Sequence, residues 1–294
     1  MNNHPRARTS HTLDVLLLFL LAMAAGLFFW RLQTRFDYDW NWTAVPQFLF
    51  RLDPEHGWTA NVLVHGLLTT LRLSIWTTVL ALGIGVAAGL AASSRSLFRR
   101  LIARTYVEAV RNLPPLVLVF IFYFFIYSVL APLIGLDDAI RAMPAWLGNI
   151  LAVVCDEPNR LPGFISGVIT LSIYEGAYIA EIVRGGVESV DKGQWEAAAS
   201  LGLPRSDQLR LVVLPQALKV IIPPLTGQFI STIKDSAIVS VISIPELTFQ
   251  GLELMSATYL TFEVWITITL MYLVLTMGCA MLARKLERSL RWRF

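Results

Sequence analysis

WEAAASLGLP, residues Trp195–Pro204, sits between two strongly apolar stretches, Phe164–Val183 and Val220–Ile244. It is too polar to lie in lipid and too well ordered by its residue types to be an idle loop. Asp191, just upstream, is a preferred N-cap residue. Glu196 falls in or near the first turn, where the positive end of the helix dipole favours an acid. Ala197, Ala198 and Ala199 are strong helix formers. Gly202 is the residue type that ends a helix in the left-handed conformation, and Pro204 follows shortly after. A second short helix is expected from about Ser206 to Val213, stopping before Pro215. The pattern reads as a rigid helix–turn–helix elbow outside the membrane. Its small residues form a face that another protein's backbone can approach closely. The plain alternative is a connector built from good helix formers.

Outward from this stretch the chain becomes apolar in both directions. It is 55% apolar and only 15% charged over 294 residues, where a soluble domain carries about 25% charged residues. Mean hydropathy is +0.60. The charge deficit gathers in windows of about 20 residues, the length that crosses a bilayer as a helix. The expected fold class is therefore all-α, a polytopic helical membrane protein of about six spans with an elbow outside the membrane. The spans are placed at Val15–Trp30, Leu67–Ala92, Leu116–Ile134, Phe164–Val183, Val220–Ile244 and Val264–Ala283. The first is short, about 24 Å of helix. Ala22-Met23-Ala24 in it resembles a signal-peptide cleavage site, so a retained signal-anchor and a cleaved signal both remain open. The expected division is 1–60 for that span and an outer loop, and 61–294 for the main transmembrane domain, whose cytoplasmic loop covers about 185–219.

Orientation follows from Lys and Arg. Arg6 and Arg8, Arg95 to Arg111, Arg184 to Lys219, and Arg284 to Arg293 cluster on one side of the membrane. The other side carries only Arg31, Arg35, Arg51, Arg141 and Arg160. The first side is the cytoplasm, so both termini and the elbow are expected there. On the outer side, Ala139–Cys155 is expected to form a short surface helix. On the inner side, Ser96–Val110 reads as an amphipathic helix with Leu97, Leu101, Tyr106 and Val110 roughly on one face.

The stretch VIIPPLTGQFISTIKDSAIVSVISI (Val220–Ile244) is polar where a lipid-facing helix cannot be. Pro223 and Pro224 remove backbone donors, and Gly227 loosens the helix. Lys234 and Asp235 then fall near the middle, where a charge costs about 2.5–3.5 kcal/mol on insertion scales. Either the helix breaks there, or each charge meets a partner on another helix or in a water-filled cavity. In the fourth span Glu175 lies deep, with Tyr178 at i+3. It is either a pathway residue or a packing partner, with Lys234 as a candidate counter-ion. Glu181 is expected to pair locally with Arg184. Glu175, Tyr178, Gln228, Lys234 and Asp235 are the candidate pathway residues. Gly85 and Gly89, four apart, are read as a close helix-packing seam.

EAAASLGLPRSDQLRLVVLP (Glu196–Pro215) resembles the EAA signature of ABC-importer membrane subunits. Glu196-Ala197-Ala198 is followed by three residues, Gly202, nine residues, a β-branched position, any residue, then Leu214-Pro215. The β-branched position is Val212, where that family usually has isoleucine. AYIAEIVRGGVESVDKGQWEAA, LPQALKVIIPPLTGQFISTIKDSAIVSVISIPEL and YVEAVRNLPPLVLVFIFYF are similar to the polar amino-acid uptake branch. The resemblance covers about residues 62–290. It implies a permease subunit of the bacterial inner membrane that pairs with a second permease copy or paralogue. It also implies docking of the elbow on ATP-binding cassette subunits and supply by an extracytoplasmic amino-acid-binding protein. Glu196, Ala197, Ala198, Gly202, Leu214 and Pro215 would carry the coupling. ATP and Mg would belong to the partner ATPase, with no cofactor bound by this chain.

Two other functions fit the charge pattern alone. An ion- or proton-coupled carrier would use Glu175, Lys234 and Asp235 as a relay. A non-transporting scaffold would recruit a protein through the elbow, but has no use for buried charges. An enzyme is remote, because no metal-ligand cluster or nucleophile constellation is evident. No GxxxxGK[ST] phosphate cradle is present, and no basic, aromatic-laced patch points to nucleic acid. Cys155 and Cys279 are too few for a disulfide framework.

Overall fold

The computed structural model describes residues 11–35, 38–55 and 57–291. It divides into two compact units, one up to Trp42 and one from Thr43 onward. The first unit is built on a single helix, α1 (His11–Arg35), and its apolar window is Val15–Ala24. Among the described residues, five other helical runs are long and apolar enough to cross a membrane. The expectation of about six therefore holds for five spans, and for α1 only as a helix with a shorter apolar stretch.

The second unit opens with α2 (Val45–Leu49) and a two-stranded antiparallel hairpin, β1 (Phe50–Asp53) and β2 (Gly57–Ala60). The first long helix, α3 (Val62–Ala92), leads through Ser93–Ser96 into α4 (Leu97–Asn112). Then α5 (Pro115–Phe120), a π-helical stretch Ile121–Tyr127 and α6 (Ser128–Leu133) form one crossing. On the far side lie α7 (Leu136–Arg141) and α8 (Ala145–Val154), the latter where a surface helix is expected. The chain returns as α9 (Leu161–Glu188), turns through α10 (Lys192–Ser200) and re-enters with α11 (Arg205–Asp207), a π-helical stretch Gln208–Val213 and α12 (Leu214–Asp235). A 3₁₀ segment Ser236–Ile242, then α13 (Leu247–Thr258) and α14 (Thr261–Arg291), complete the unit.

α3 and α9 run side by side in the same direction, and glycine sets their distance. A methyl group at Gly85 would lie 3.0 Å from the Gly176 carbonyl oxygen and 2.4 Å from Ile179, and one at Gly89 would lie 2.6 Å from the Ala180 carbonyl. Backbones this close gain dispersion contact that larger residues would forbid. The seam expected from sequence is thus real, while Gly83 faces open space. Gly89→Val should destabilise the fold by the overpacking cost of about 1–3 kcal/mol. Thermal unfolding in detergent should show a lowered midpoint, with Gly83→Ala as the unaffected control.

Two expectations are corrected. The helix after the elbow does not stop before Pro215. It continues as one 38-residue run, Arg205–Ile242. The π-helical stretch at Gln208–Val213 shifts the hydrogen-bond register, and Pro215 then falls in the first turn of α12, where a missing donor costs little. Pro223 and Pro224 lie inside α12 without ending it, and the change of helix type comes beyond them, at Ser236. In α4, Leu97 and Leu101 are exposed, whereas Val110 is buried and the Tyr106 hydroxyl donates to the Ile173 carbonyl at 2.6 Å. Nine residues at about 100° each place Leu97 and Tyr106 on opposite sides, so the expected single face is two.

Candidate functional site

The elbow is assembled by short-range chemistry. Asp191 caps α10, its carboxylate accepting from the Gly193 N–H at 2.7 Å. At the other end Gly202 takes a φ of +78°. The Leu203 N–H reaches back to the Ala198 carbonyl at 3.3 Å and the Gly202 N–H to that of Ala199 at 2.9 Å. This paired closure satisfies the last carbonyls of the helix and fixes its exit. The Arg205 guanidinium lies 3.3 Å from the centre of the Trp195 ring and clamps α11 against α10. Gln216 on α12 donates to the Gln194 side chain at 3.3 Å and so ties α10 to the long helix.

The EAA residues divide by exposure. Glu196, Ala197 and Gly202 face outward, whereas Ala198 is 3% exposed and packs inward. Leu214 is half-buried against the core formed by Val187, Val190, Val213 and Ala217, and Pro215 is exposed at the start of α12. Sequence reading overlooked Leu201. It is 81% exposed at the very end of α10, between Glu196–Ala197 and Gly202. An apolar residue beside a left-handed glycine was the signal available, since such glycines put the preceding residue at the tip of the turn.

The second cluster lies within the spans. Glu175 of α9 is fully buried, and its carboxylate Oε2 accepts from the Gln228 amide at 2.6 Å. Its other oxygen, Oε1, is buried without a hydrogen-bond partner among the described residues. Asp235 faces the same carboxyl group. Gln228, Thr232 and Asp235 are spaced i, i+4, i+7 and share one side of α12, which explains the convergence. Lys234, a candidate partner of Glu175 from the sequence, does not pair with it. Lys234 sits about 120° round the helix from Gln228 and is exposed. Thr232 donates to the Gln228 carbonyl at 3.0 Å and Ser236 to that of Ile233 at 2.8 Å, so both hydroxyls serve their own helix.

Tyr178 belongs to a neighbouring space. Its hydroxyl oxygen lies 3.2 Å from that of Tyr174, and the Arg111 guanidinium lies 5.3 Å from its ring centre. It lines a cavity of about 510 Å³ with Arg104, Glu108, Arg111, Glu181 and Arg184. Arg184 pairs with Glu181 and Glu188, as the local spacing implies. Burial pushes the Tyr106 phenol up to about 12.

Another buried acid, Glu246, has no counterpart among the candidate residues read from the sequence. Glu246 caps α13 by accepting from the Phe249 N–H at 2.8 Å. Its Oε2 accepts from the Tyr272 hydroxyl at 2.8 Å and from Thr70 at 3.3 Å. It therefore joins α3, α13 and α14 at one point, and burial raises its pKa. Its position just before an apolar helix was a legible capping signal. Its partners are 176 and 26 residues away in sequence and were not. Among the described residues no cluster of His, Cys, Asp and Glu could hold a metal ion, and Cys155 and Cys279 are free thiols.

Comparison with known proteins matches residues 80–292 to the family described as binding-protein-dependent transport system inner membrane component. The chain is 32% identical to the glutamine transport system permease protein GlnP of Escherichia coli strain K12, over 87% of this chain and 99% of that one. It is 38% identical to the probable glutamine ABC transporter permease protein GlnM of Bacillus subtilis strain 168, over 63% of this chain and 74% of that one. Among solved structures it superposes on a chain of an amino acid ABC transporter crystallised with histidines. That match has a TM-score of 0.61 and 34% identity, covering 78% of this chain and 94% of that chain.

Proposed function

The chain belongs to the binding-protein-dependent transport system inner membrane components, and on that premise we propose that it moves glutamine or a similar polar amino acid inward. It is the permease subunit of an ABC importer and a multi-pass protein of the inner membrane. The elbow docks on an ATP-binding cassette subunit through Glu196, Ala197, Gly202 and the exposed Leu201, with Ala198, Leu214 and Pro215 shaping its base. ATP and Mg are handled in that partner and not by this chain. A second permease subunit completes the pathway, and an extracytoplasmic binding protein delivers the amino acid. Both termini lie in the cytoplasm, as the distribution of Lys and Arg supports.

One observation carries the reading. The helix that leaves the elbow at Arg205 runs unbroken to Asp235, about 46 Å, and the Glu175–Gln228–Asp235 cluster sits on its far part. A displacement of the elbow therefore reaches the cluster as a rigid-body movement. The facing carboxyl groups of Glu175 and Asp235 are suited to the amino group of a zwitterion. Lys234, exposed in a span where lipid contact is costly, lies along the water-filled path. Tyr178 and the charged cavity beside it form the inner approach.

Reconstitution tests the reading directly. Proteoliposomes holding this chain with its ATPase and binding protein should take up glutamine only with ATP inside the ATPase-accessible compartment. Uptake by this chain alone under an ion or proton gradient would instead establish a secondary carrier.

A further inference from the structure

The β1–β2 hairpin is built inside out. Its register pairs Phe50 with Ala60, Arg51 with Thr59, Leu52 with Trp58 and Asp53 with Gly57. Directly opposed residues share a face, and alternate residues along a strand do too. One face is therefore Phe50, Leu52, Trp58 and Ala60, wholly apolar, and the other holds Arg51, Asp53 and Thr59. In a water-facing hairpin the apolar side would turn inward. Here Asp53 and Thr59 are half-buried and Arg51 is exposed, while on the apolar face Ala60 is half-buried and Phe50, Leu52 and Trp58 are 49%, 69% and 75% exposed. The arrangement is held rather than loose. The Asn61 N–H donates to the Leu49 carbonyl at 2.8 Å, its amide donates to Gln47, and Phe48 is buried with Leu63, Leu247 and Val264.

The position of the hairpin says what covers that face. Ala60 precedes by two residues the start of α3, a membrane-spanning helix. α3 and α9 are parallel, and the elbow follows the far end of α9, so the hairpin lies at the opposite membrane face. The exposed apolar strip of α3 begins at Leu68 and continues through Ile75 and Val79. Leu68 is about 9 Å along the helix from Val62, so the hairpin lies within about two turns of the first exposed apolar residue of the span. Tryptophan is enriched at that boundary, where its ring is apolar and its N–H remains wet. A transient protein-docking patch would carry more polar groups than this face has.

We propose that the Phe50–Leu52–Trp58 face lies in the lipid interface of the membrane leaflet opposite the elbow and anchors the outer end of α3 there. The partner is the lipid surface, with Asp53 and Thr59 of the opposite face turned toward the protein. The test places single cysteines at Leu52→Cys, Trp58→Cys, Arg51→Cys and Thr59→Cys in a chain carrying Cys155→Ser and Cys279→Ser. Each is labelled with a small fluorophore and the full chain is put in lipid nanodiscs containing shallow nitroxide-labelled phospholipid. Quenching at 52 and 58 should exceed that at 51 and 59 by at least about twofold, following the strand alternation. Equal quenching at all four positions, or none, overturns the proposal. So does an absence of lipid quenching at 52 and 58 combined with their protection by added binding protein, which would make the face a protein-docking surface. All four positions carry partly or fully exposed side chains, so folding does not decide the outcome.

Discussion

Leu201→Asp is expected to lower ATP-driven uptake by at least about tenfold while the permease still folds and reaches the membrane. Leu201 is 81% exposed at the tip of α10, so the chain itself loses almost no packing. The capping bonds of Leu203 and Gly202 to Ala198 and Ala199 involve backbone only and survive the change. In a docked elbow the same position is covered by the ATPase. An aspartate there is desolvated without a partner, which costs several-fold more than the apolar contact it replaces. A tenfold loss corresponds to about 1.4 kcal/mol, well within that range. The checks are uptake in proteoliposomes and the amount of ATPase that co-purifies. Unchanged values for both would mean that the elbow does not dock through this tip. Ala198→Trp gives a contrast. That residue is buried, so its enlargement should lower the yield of folded protein before any coupling is measured.

Glu175→Ala is the second large effect. Glu175 is fully buried, and the Gln228 amide donates to it at 2.6 Å. Leaving a buried hydrogen-bonding group without its partner costs about 1–3 kcal/mol. Removing Glu175 strands the Gln228 amide and the facing Asp235 carboxyl. Uptake should fall by about tenfold or more on that range. Glu175→Gln separates two explanations. Glutamine keeps an acceptor for Gln228 and nearly the same shape, so folded yield should recover. If Glu175 contacts the transported amino acid, Glu175→Gln still transports with a raised KM. If Glu175 only holds α9 to α12, Glu175→Gln transports like the unaltered protein.

The elbow was the most legible part of this chain, because its information is local. Asp191 caps, Gly202 turns left-handed and Pro204 follows within a few residues, and each acts over one turn of backbone. The spans were legible for a similar reason, since hydropathy accumulates along sequence. The misreadings came where sequence rules met neighbouring structure. Pro215 looked like a stop, but a π-helical stretch upstream placed it in a first turn. Lys234 looked like a candidate partner of Glu175, but helical phase favours Gln228 and Asp235 instead.

The sequence by itself therefore determined the class of the protein. Its charge deficit requires membrane helices, and its capped elbow with Leu214-Pro215 carries the family resemblance. Only the tertiary structure decided which polar groups meet. Gln228 reaches Glu175 because α12 packs on α9, so closely that a methyl group at Gly186 would lie 2.2 Å from Ile221. Glu246 meets Thr70 and Tyr272 because α13 is folded back between α3 and α14. A hydrogen bond depends on separations of about 3 Å, and no one-dimensional pattern specifies distances between residues so far apart in the chain.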